Sequence, residues 1–296
     1  MQLTVLTFNV LQLPLLSLAP DGRRRARFAL ELILESAPDV VVLNEAFSLS
    51  GCGAILSGLR RAGYTGTGQG CALRGQRLWR SGPAKAPLRQ RMIGSGVRIF
   101  SRHPILEQHQ NAYRTDHPKT QDRLAAKGVA LVKLQLPAGT VWLAGTHLQA
   151  DEPPVPTAQT QAVRLRQLAE LREFVTGTVP AAEPVLLAGD LNLEYFAEPL
   201  NRLPGIDHLA AEAILGGRIA PPDWAAGFSY DGTANPVAAR TDPAYRNTLD
   251  YVGYLNESGR RPEPRISAET VPFAVGREAS DHNPVLGRIQ LVNAPT

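Results

Sequence analysis

The sequence predicts a mixed α/β, strand-rich fold in which two mixed β-sheets pack face to face and helices flank them. Three observations lead there. Short runs rich in Val, Ile, Leu and Thr recur along the whole chain, whereas only two stretches have convincing helical periodicity. Neither GxGxxG nor GxxxxGK[ST] occurs, which removes the phosphate-cradling loops of nucleotide-binding sheets. The 296 residues are 44% hydrophobic, enough for a sizeable core, and no long linker divides them, so 1–296 is expected to be a single domain.

The elements follow in order. Residues 3–10, "LTVLTFNV", read as a strand buried on both faces, and 24–36 as a helix through Phe28, Leu30, Leu32 and Leu34 that stops before Pro38. Residues 39–47 form a second β-branched strand. Strands at 96–102 and 128–136 are separated by a polar loop, and a Pro-Ala-Gly turn joins 128–136 to 140–148 as a hairpin. The clearest helix spans 160–177, and 184–192, 248–255 and 283–291 supply the last strands.

Bulk properties narrow the class. A net charge of +4 suits a phosphate-bearing partner without demonstrating one. The basic run "GRRRAR" at 22–27 reads first as a solvated helix start and second as a phosphate- or membrane-contacting patch. Cys52 and Cys71 cannot make a zinc site alone; a disulfide and two free thiols are equally open. No window approaches the ~20 apolar residues that span a bilayer. The N-terminus lacks a basic n-region and a small-residue cleavage site, so no signal peptide is expected.

Chemistry collects at the strand ends. Asn9, Glu45, His147, Asp190 with Asn192, Asp250, and Asp281 with His282 all fall where strand meets loop. Singly, each has an ordinary structural role: an Asx turn at Asp190–Asn192, a loop cap at Asp250, a core histidine at His282. Together, on one sheet edge, they would place carboxylates close enough to repel unless a cation or proton holds them. Oxygen donors without thiolates favour a hard ion such as Mg²⁺, Mn²⁺ or Ca²⁺. Two histidines add acid–base capacity near neutral pH, which matches phosphodiester cleavage.

The segments "TFNV", "NEAF", "GDLN", "LDYV" and "SDHNPV" resemble, in the same order, the motif series of the endonuclease/exonuclease/phosphatase superfamily. Within it, "GTHLQAD", "GVRIFSRHPI" and the Asp122/Lys127 pair of "DRLAAKG" resemble the bacterial sphingomyelinase C (neutral sphingomyelinase) branch, over about residues 3–290. The resemblance implies a four-layer sandwich of the DNase I-like type and a Mg²⁺-dependent sphingomyelin phosphodiesterase, with Mn²⁺, Co²⁺ or Ca²⁺ admissible in the same site. It implies Glu45 as principal metal ligand, assisted by Asn9, with Asp190, Asn192, Asp281 and His282 completing the set and Asp190 extending to a second metal. His282 would be the general base, oriented by Asp250, while Asp190 and Asn192 hold the water or a phosphate oxygen. His147 would stabilise the transition state or protonate the ceramide alkoxide, and Asp281 would position His282. Lys127 with Asp122 would set the active loop, the alternative being a surface ion pair.

The same resemblance implies sphingomyelin or a related choline phospholipid as substrate, peripheral membrane contact, a monomer, no nucleic-acid partner, and a secreted or periplasmic setting. The membrane-dipping aromatic hairpin of that branch corresponds to 267–280, which holds only Phe273. Anchoring there is expected to be weak, with 77–82 or 220–228 as substitutes. The alternatives are a nuclease or inositol-phosphate phosphatase of the same superfamily, or a catalytically silent lipid-binding module.

Overall fold

A computed structural model describes residues 2–13, 20–47, 49–73, 79–80, 87–198, 203–219, 227–256 and 259–291. The β-branched runs pair into two mixed sheets. The first sheet holds β1 (Gln2–Gln12), β2 (Val40–Ala46), β3 (Thr65–Gly66), β4 (Arg98–Ser101), β14 (Arg265–Thr270) and β15 (Val285–Gln290), in the order β14-β15-β1-β2-β4-β3. The second holds β5 (Ile105–Ala112), β6 (Gly128–Leu136), β7 (Gly139–His147), β8 (Val185–Asp190) and β13 (Asp250–Leu255), in the order β13-β8-β7-β6-β5. Two short ribbons, β9 (Phe196–Glu198) with β10 (Leu203–Pro204) and β11 (Tyr230–Asp231) with β12 (Arg246–Asn247), lie apart from them.

Each sheet is built around one parallel pair, β1 with β2 and β7 with β8, and each pair is joined through a helix. Such a crossover needs a helix to carry the chain back along the sheet. The first is α1 (Pro20–Ser36), which packs with α2 (Leu49–Arg61) on the outer face of the first sheet, burying Ala29, Ile33, Ile55 and Leu59 against Phe8, Leu43 and Phe100. The second is α4 (Thr157–Thr178), which buries Leu168, Leu171 and Val175 and runs beside α5 (Asp207–Leu215). The layers are therefore helix, sheet, sheet, helix, with Val5, Val42 and Ile99 facing the second sheet's core residues. Gly145 permits the close approach: a Cβ there would lie 3.1 Å from Val42 and 3.2 Å from Ile99.

Several expectations change. The polar loop expected between the strands at 96–102 and 128–136 contains β5, an edge strand whose mixed polar sequence suits its half-exposed position. The helix α2 was not expected at all; its Cys52, Ile55, Leu56 and Leu59 share a buried face despite glycines at 51, 53 and 58. Cys52 and Cys71 are both free and buried, in separate core clusters, so the disulfide alternative falls. Burial pushes both thiols up to about 12, which leaves them inert. Within "GRRRAR", Arg23, Arg24 and Arg27 are solvated, but Arg25 is buried and donates to the carbonyls of Leu11 and Ala279.

Candidate active site

All the strand-end residues lie at one end of the sandwich because topology puts them there. The parallel pairs β1/β2 and β7/β8 present their C-terminal ends, carrying Asn9, Glu45, His147 and Asp190. β13 and β15 run antiparallel to β8 and β1, so Asp250 and the Asp281–His282 segment enter at the same end. One correction follows: the residues come from two facing sheets, three strands from each, and not from one sheet edge. Asn44 spans the gap, donating to the Thr146 carbonyl at 2.8 Å while accepting from the Thr7 hydroxyl at 3.2 Å.

Asp190 is the hub. Its Oδ2 accepts from Asn9 Nδ2 at 3.0 Å and its Oδ1 from the Asn192 backbone N–H at 3.0 Å. His147 Nε2 lies 3.6 Å and His282 Nδ1 3.8 Å from Oδ2. Gly189 beside it admits no side chain, since a Cβ would sit 2.0 Å from the Thr146 carbonyl oxygen. Asn192 and Glu45 both adopt left-handed backbone, at φ 50° and 53°, an uncommon conformation for residues other than glycine and one that concentrates at functional sites.

Asp250 and His282 form the tightest pair, Oδ2 to Nδ1 at 2.7 Å. The His282 ring meets Tyr230 edge-to-face at a centroid distance of 5.2 Å. Burial alone would lower its pKa, but the carboxylates of Asp250, Asp190 and Asp281 overcome that and hold it well above the usual imidazole value. His147 behaves oppositely. Burial, then the charges of Lys127 and His282, drive its pKa well below the usual value.

Lys127 and Asp122 do not form a surface ion pair. The Lys127 side chain is 5% exposed; Nζ donates to Asp122 Oδ2 at 2.6 Å and to the Leu148 carbonyl at 2.5 Å, and stands 3.2 Å from His147 Nε2. Asp122 also accepts from the Ala150 N–H at 2.7 Å and from Gln149 Nε2 at 3.0 Å. An ammonium has only protons to offer, so His147 Nε2 must be the acceptor and Nδ1 carries the hydrogen.

The carboxylates suit a cation. Burial first, and then the Asp281 charge, raises Glu45 to about 7, while burial and Asp250 raise Asp190 to about 6. Glu45 Oε2, Asp250 Oδ1 and His147 Nδ1 are buried with no hydrogen-bond partner among the described residues. Buried polar atoms are otherwise nearly always paired, so orphaned carboxylate oxygens at a strand-end cluster fit a divalent ion. Asp190, Asp250 and His282 bring ligand atoms within 4.8 Å of one another. Glu45 is outside that trio but adjoins it, since the Asn9 side chain serves both Glu45 and Asp190 and the His282 charge acts on Glu45 directly.

One positioning residue escaped the sequence reading. Asn235 is buried and donates from Nδ2 to the carbonyls of Ser280 at 2.9 Å and Asp281 at 3.2 Å, fixing the segment that carries His282. Asn235 lies outside every motif named above, and no local pattern marks it. Phe273 is half-buried, packed against the first sheet's outer core with its ring 6.0 Å from Phe8, so it is not a free, fully exposed anchor. Trp79 is likewise buried, and Trp224 lies outside the described residues.

Two packed mixed sheets with helices outside and a polar cluster at their common end make up the DNase I-like architecture. The chain belongs to the Endonuclease/Exonuclease/phosphatase family, which matches residues 6–282. It is 26% identical to Sphingomyelinase C of Listeria ivanovii over 264 residues, 84% of this chain and 74% of that protein. The crystal structure of Sphingomyelinase C from Streptomyces griseocarneus superposes with a TM-score of 0.78 at 26% identity, covering 97% of this chain and 99% of the other. A mutant beta toxin from Staphylococcus aureus with bound magnesium ions, 22% identical, shares the fold at a TM-score of 0.80 over 97% and 99% of the two chains.

Proposed function

We propose that the chain forms one catalytic domain that hydrolyses sphingomyelin to ceramide and phosphocholine with a divalent cation, Mg²⁺ foremost. The observation that carries this reading is the Asp250–His282 pair at 2.7 Å, set among buried carboxylates with orphaned oxygens. Similarity to sphingomyelinases C over most of the chain supports the choice of substrate.

Glu45 and Asn9, with Asp190, Asn192 and Asp281, are the groups that would hold the ion, and His282 stands beside them as the base. When bound, the ion supplies positive charge that neutralises both the substrate phosphate and the repulsion among these carboxylates. Asp250 accepts the hydrogen bond from His282 Nδ1–H, leaving Nε2 to accept a proton from the attacking water. Against the effect of burial, the carboxylates of Asp250, then Asp190 and Asp281, keep that imidazole strongly basic. Asn192, in its left-handed conformation, pins Asp190, and the two position the water or a phosphate oxygen. His147 stays neutral and offers Nδ1–H to the charge that develops on a phosphate or leaving oxygen, its tautomer set by Lys127. That role favours transition-state hydrogen bonding over full proton transfer.

The test is phosphocholine release from sphingomyelin in mixed micelles beside a plasmid-nicking assay, each with Mg²⁺, with EDTA, and with His147→Ala or His282→Ala. Release that requires Mg²⁺ and both histidines, with plasmid intact, is expected. Nicking without lipid hydrolysis would refute the substrate while keeping the family.

A further inference from the structure

Large apolar side chains left in solvent are normal when scattered. Among the described residues of this chain they are not scattered. Leu88 and Met92 stand four residues apart on α3 (Leu88–Ile93), 63% and 71% exposed, and so share one face of that short helix. Leu124 ends an adjoining 3-10 turn, Gln121–Leu124, and is also exposed. Helix and turn are tied together: Gln90 Nε2 donates to the Arg123 carbonyl, and the Ala126 N–H donates to the Gly94 carbonyl at 2.9 Å. Leu73 joins the same flank through its N–H on the Arg91 carbonyl at 2.7 Å.

Topology places this flank beside the site. The turn leads directly into β6, whose Val129 pairs with Thr146 at the His147 end of β7. Asp122 of the turn itself grips Lys127, which reaches His147. Other exposed apolar groups gather at that end too. Ile206 precedes and Leu209 lies in the first turn of α5, where Asp207 accepts from Gln161 in the first turns of α4, and Val275 lies on the connection into β15. Among the described residues only Leu34, in the last turn of α1, and Leu106, at the start of β5, lie at the far end.

We propose that α3 and the 3-10 turn are a membrane-docking surface, seating Leu88, Met92 and Leu124 in a phospholipid interface with the site facing the headgroups. The proposal deepens, and rests on, the reading of the site as one that takes a membrane lipid. Two features favour a lipid surface as the occupant. The apolar groups sit on separate segments around a polar centre, not in one groove, which suits a flat, fluid partner that touches all of them at once. Arg123 on the turn, Lys119 just before it, and Arg23 and Arg27 at the start of α1 are exposed at the same end, which suits anionic headgroups. Phe273 is half-buried and the connection at 267–280 exposes one large apolar side chain, Val275, so this flank supplies most of the apolar contact.

The test is sedimentation with vesicles of phosphatidylcholine and phosphatidylserine that contain no sphingomyelin. Leu88→Ser/Met92→Ser is expected to weaken partitioning about tenfold or more, as loss of two interfacial side chains should. Leu124→Gln, a second and independent variant, should weaken it in the same assay, and Leu106→Ser should bind like the wild type. Hydrolysis of a soluble choline phosphodiester should be unchanged in all three. The proposal falls if the wild type does not bind, if the double variant binds equally well, or if Leu106→Ser loses as much. It also falls if the wild type is a dimer that the double variant dissociates, since the face would then belong to a second copy. Because the vesicles hold no substrate, failure to hydrolyse sphingomyelin would refute the catalytic reading alone.

Discussion

Lys127→Met offers a sharp test of how the site is held together. The substitution keeps an unbranched side chain one atom shorter and removes three contacts: Asp122 at 2.6 Å, the Leu148 carbonyl at 2.5 Å and His147 Nε2 at 3.2 Å. Asp122 keeps its bonds from Ala150 and Gln149, so its charge is not wholly abandoned. Breaking a buried pair from one side costs about 3–5 kcal/mol, and the remaining partners put this case near the lower figure. At about 2 °C per kcal/mol for a chain of this size, the melting temperature should drop by roughly 6 °C. Asp122→Asn/Lys127→Met should fall by less than the sum of the single variants, because the second change removes a charge already stranded. A structural role alone would stop there. The proposed role also requires the His147 pKa to rise once the ammonium beside it is gone, and its Nδ1–H tautomer to lose its preference, both visible by NMR of the imidazole. Activity should drop even at temperatures where the variant is fully folded. A variant with unchanged melting temperature and an unmoved His147 titration would refute the assignment of Lys127 as the group that sets this histidine.

Asp250→Asn should lower kcat by about 10²–10⁴ with little change in KM, since it misorients a base without touching substrate, and steady-state kinetics on micellar sphingomyelin would read this. Asn235→Ala should lower kcat more modestly and raise local hydrogen exchange at 280–282; an unaltered exchange pattern would count against its positioning role. Glu45 and Asp190 have folded-state pKa values raised to about 7 and about 6, so their neutral forms stabilise the metal-free protein at low pH and that contribution is lost as pH rises through those values. A cation must displace the same protons, and the rise in melting temperature on adding Mg²⁺ should therefore be larger at pH 8 than at pH 5.5. Equal shifts at both pH values would contradict a site built on these carboxylates.

The strongly patterned elements were legible from the chain alone. The run 128–136 became β6 with those bounds because its alternating apolar residues are buried on both faces, and 160–177 lies inside α4. What escaped had weak local signals and relied on tertiary partners. The glycines of α2 argue against a helix until α1 is there to receive Ile55 and Leu59, and β5 is polar because an edge strand meets solvent. The site shows the same division. Asn9, Glu45, His147, Asp190, Asp250 and His282 could be picked out by type and position, yet nothing local said that two sheets contribute them. Asn235 works through its amide on a backbone 45 residues away, a relation that no spacing encodes.

Because the two sheets each own half of the cluster, its geometry is a gauge of their alignment. The Asn44 amide on the Thr146 carbonyl and the bare Gly145 opposite Val42 and Ile99 set how far one sheet can slide across the other. A slip of a single residue, about 3.3 Å, would exceed any hydrogen bond in the cluster. Substitutions deep in the intersheet core, remote from every polar group, should thus silence the chain by shear before they unfold it.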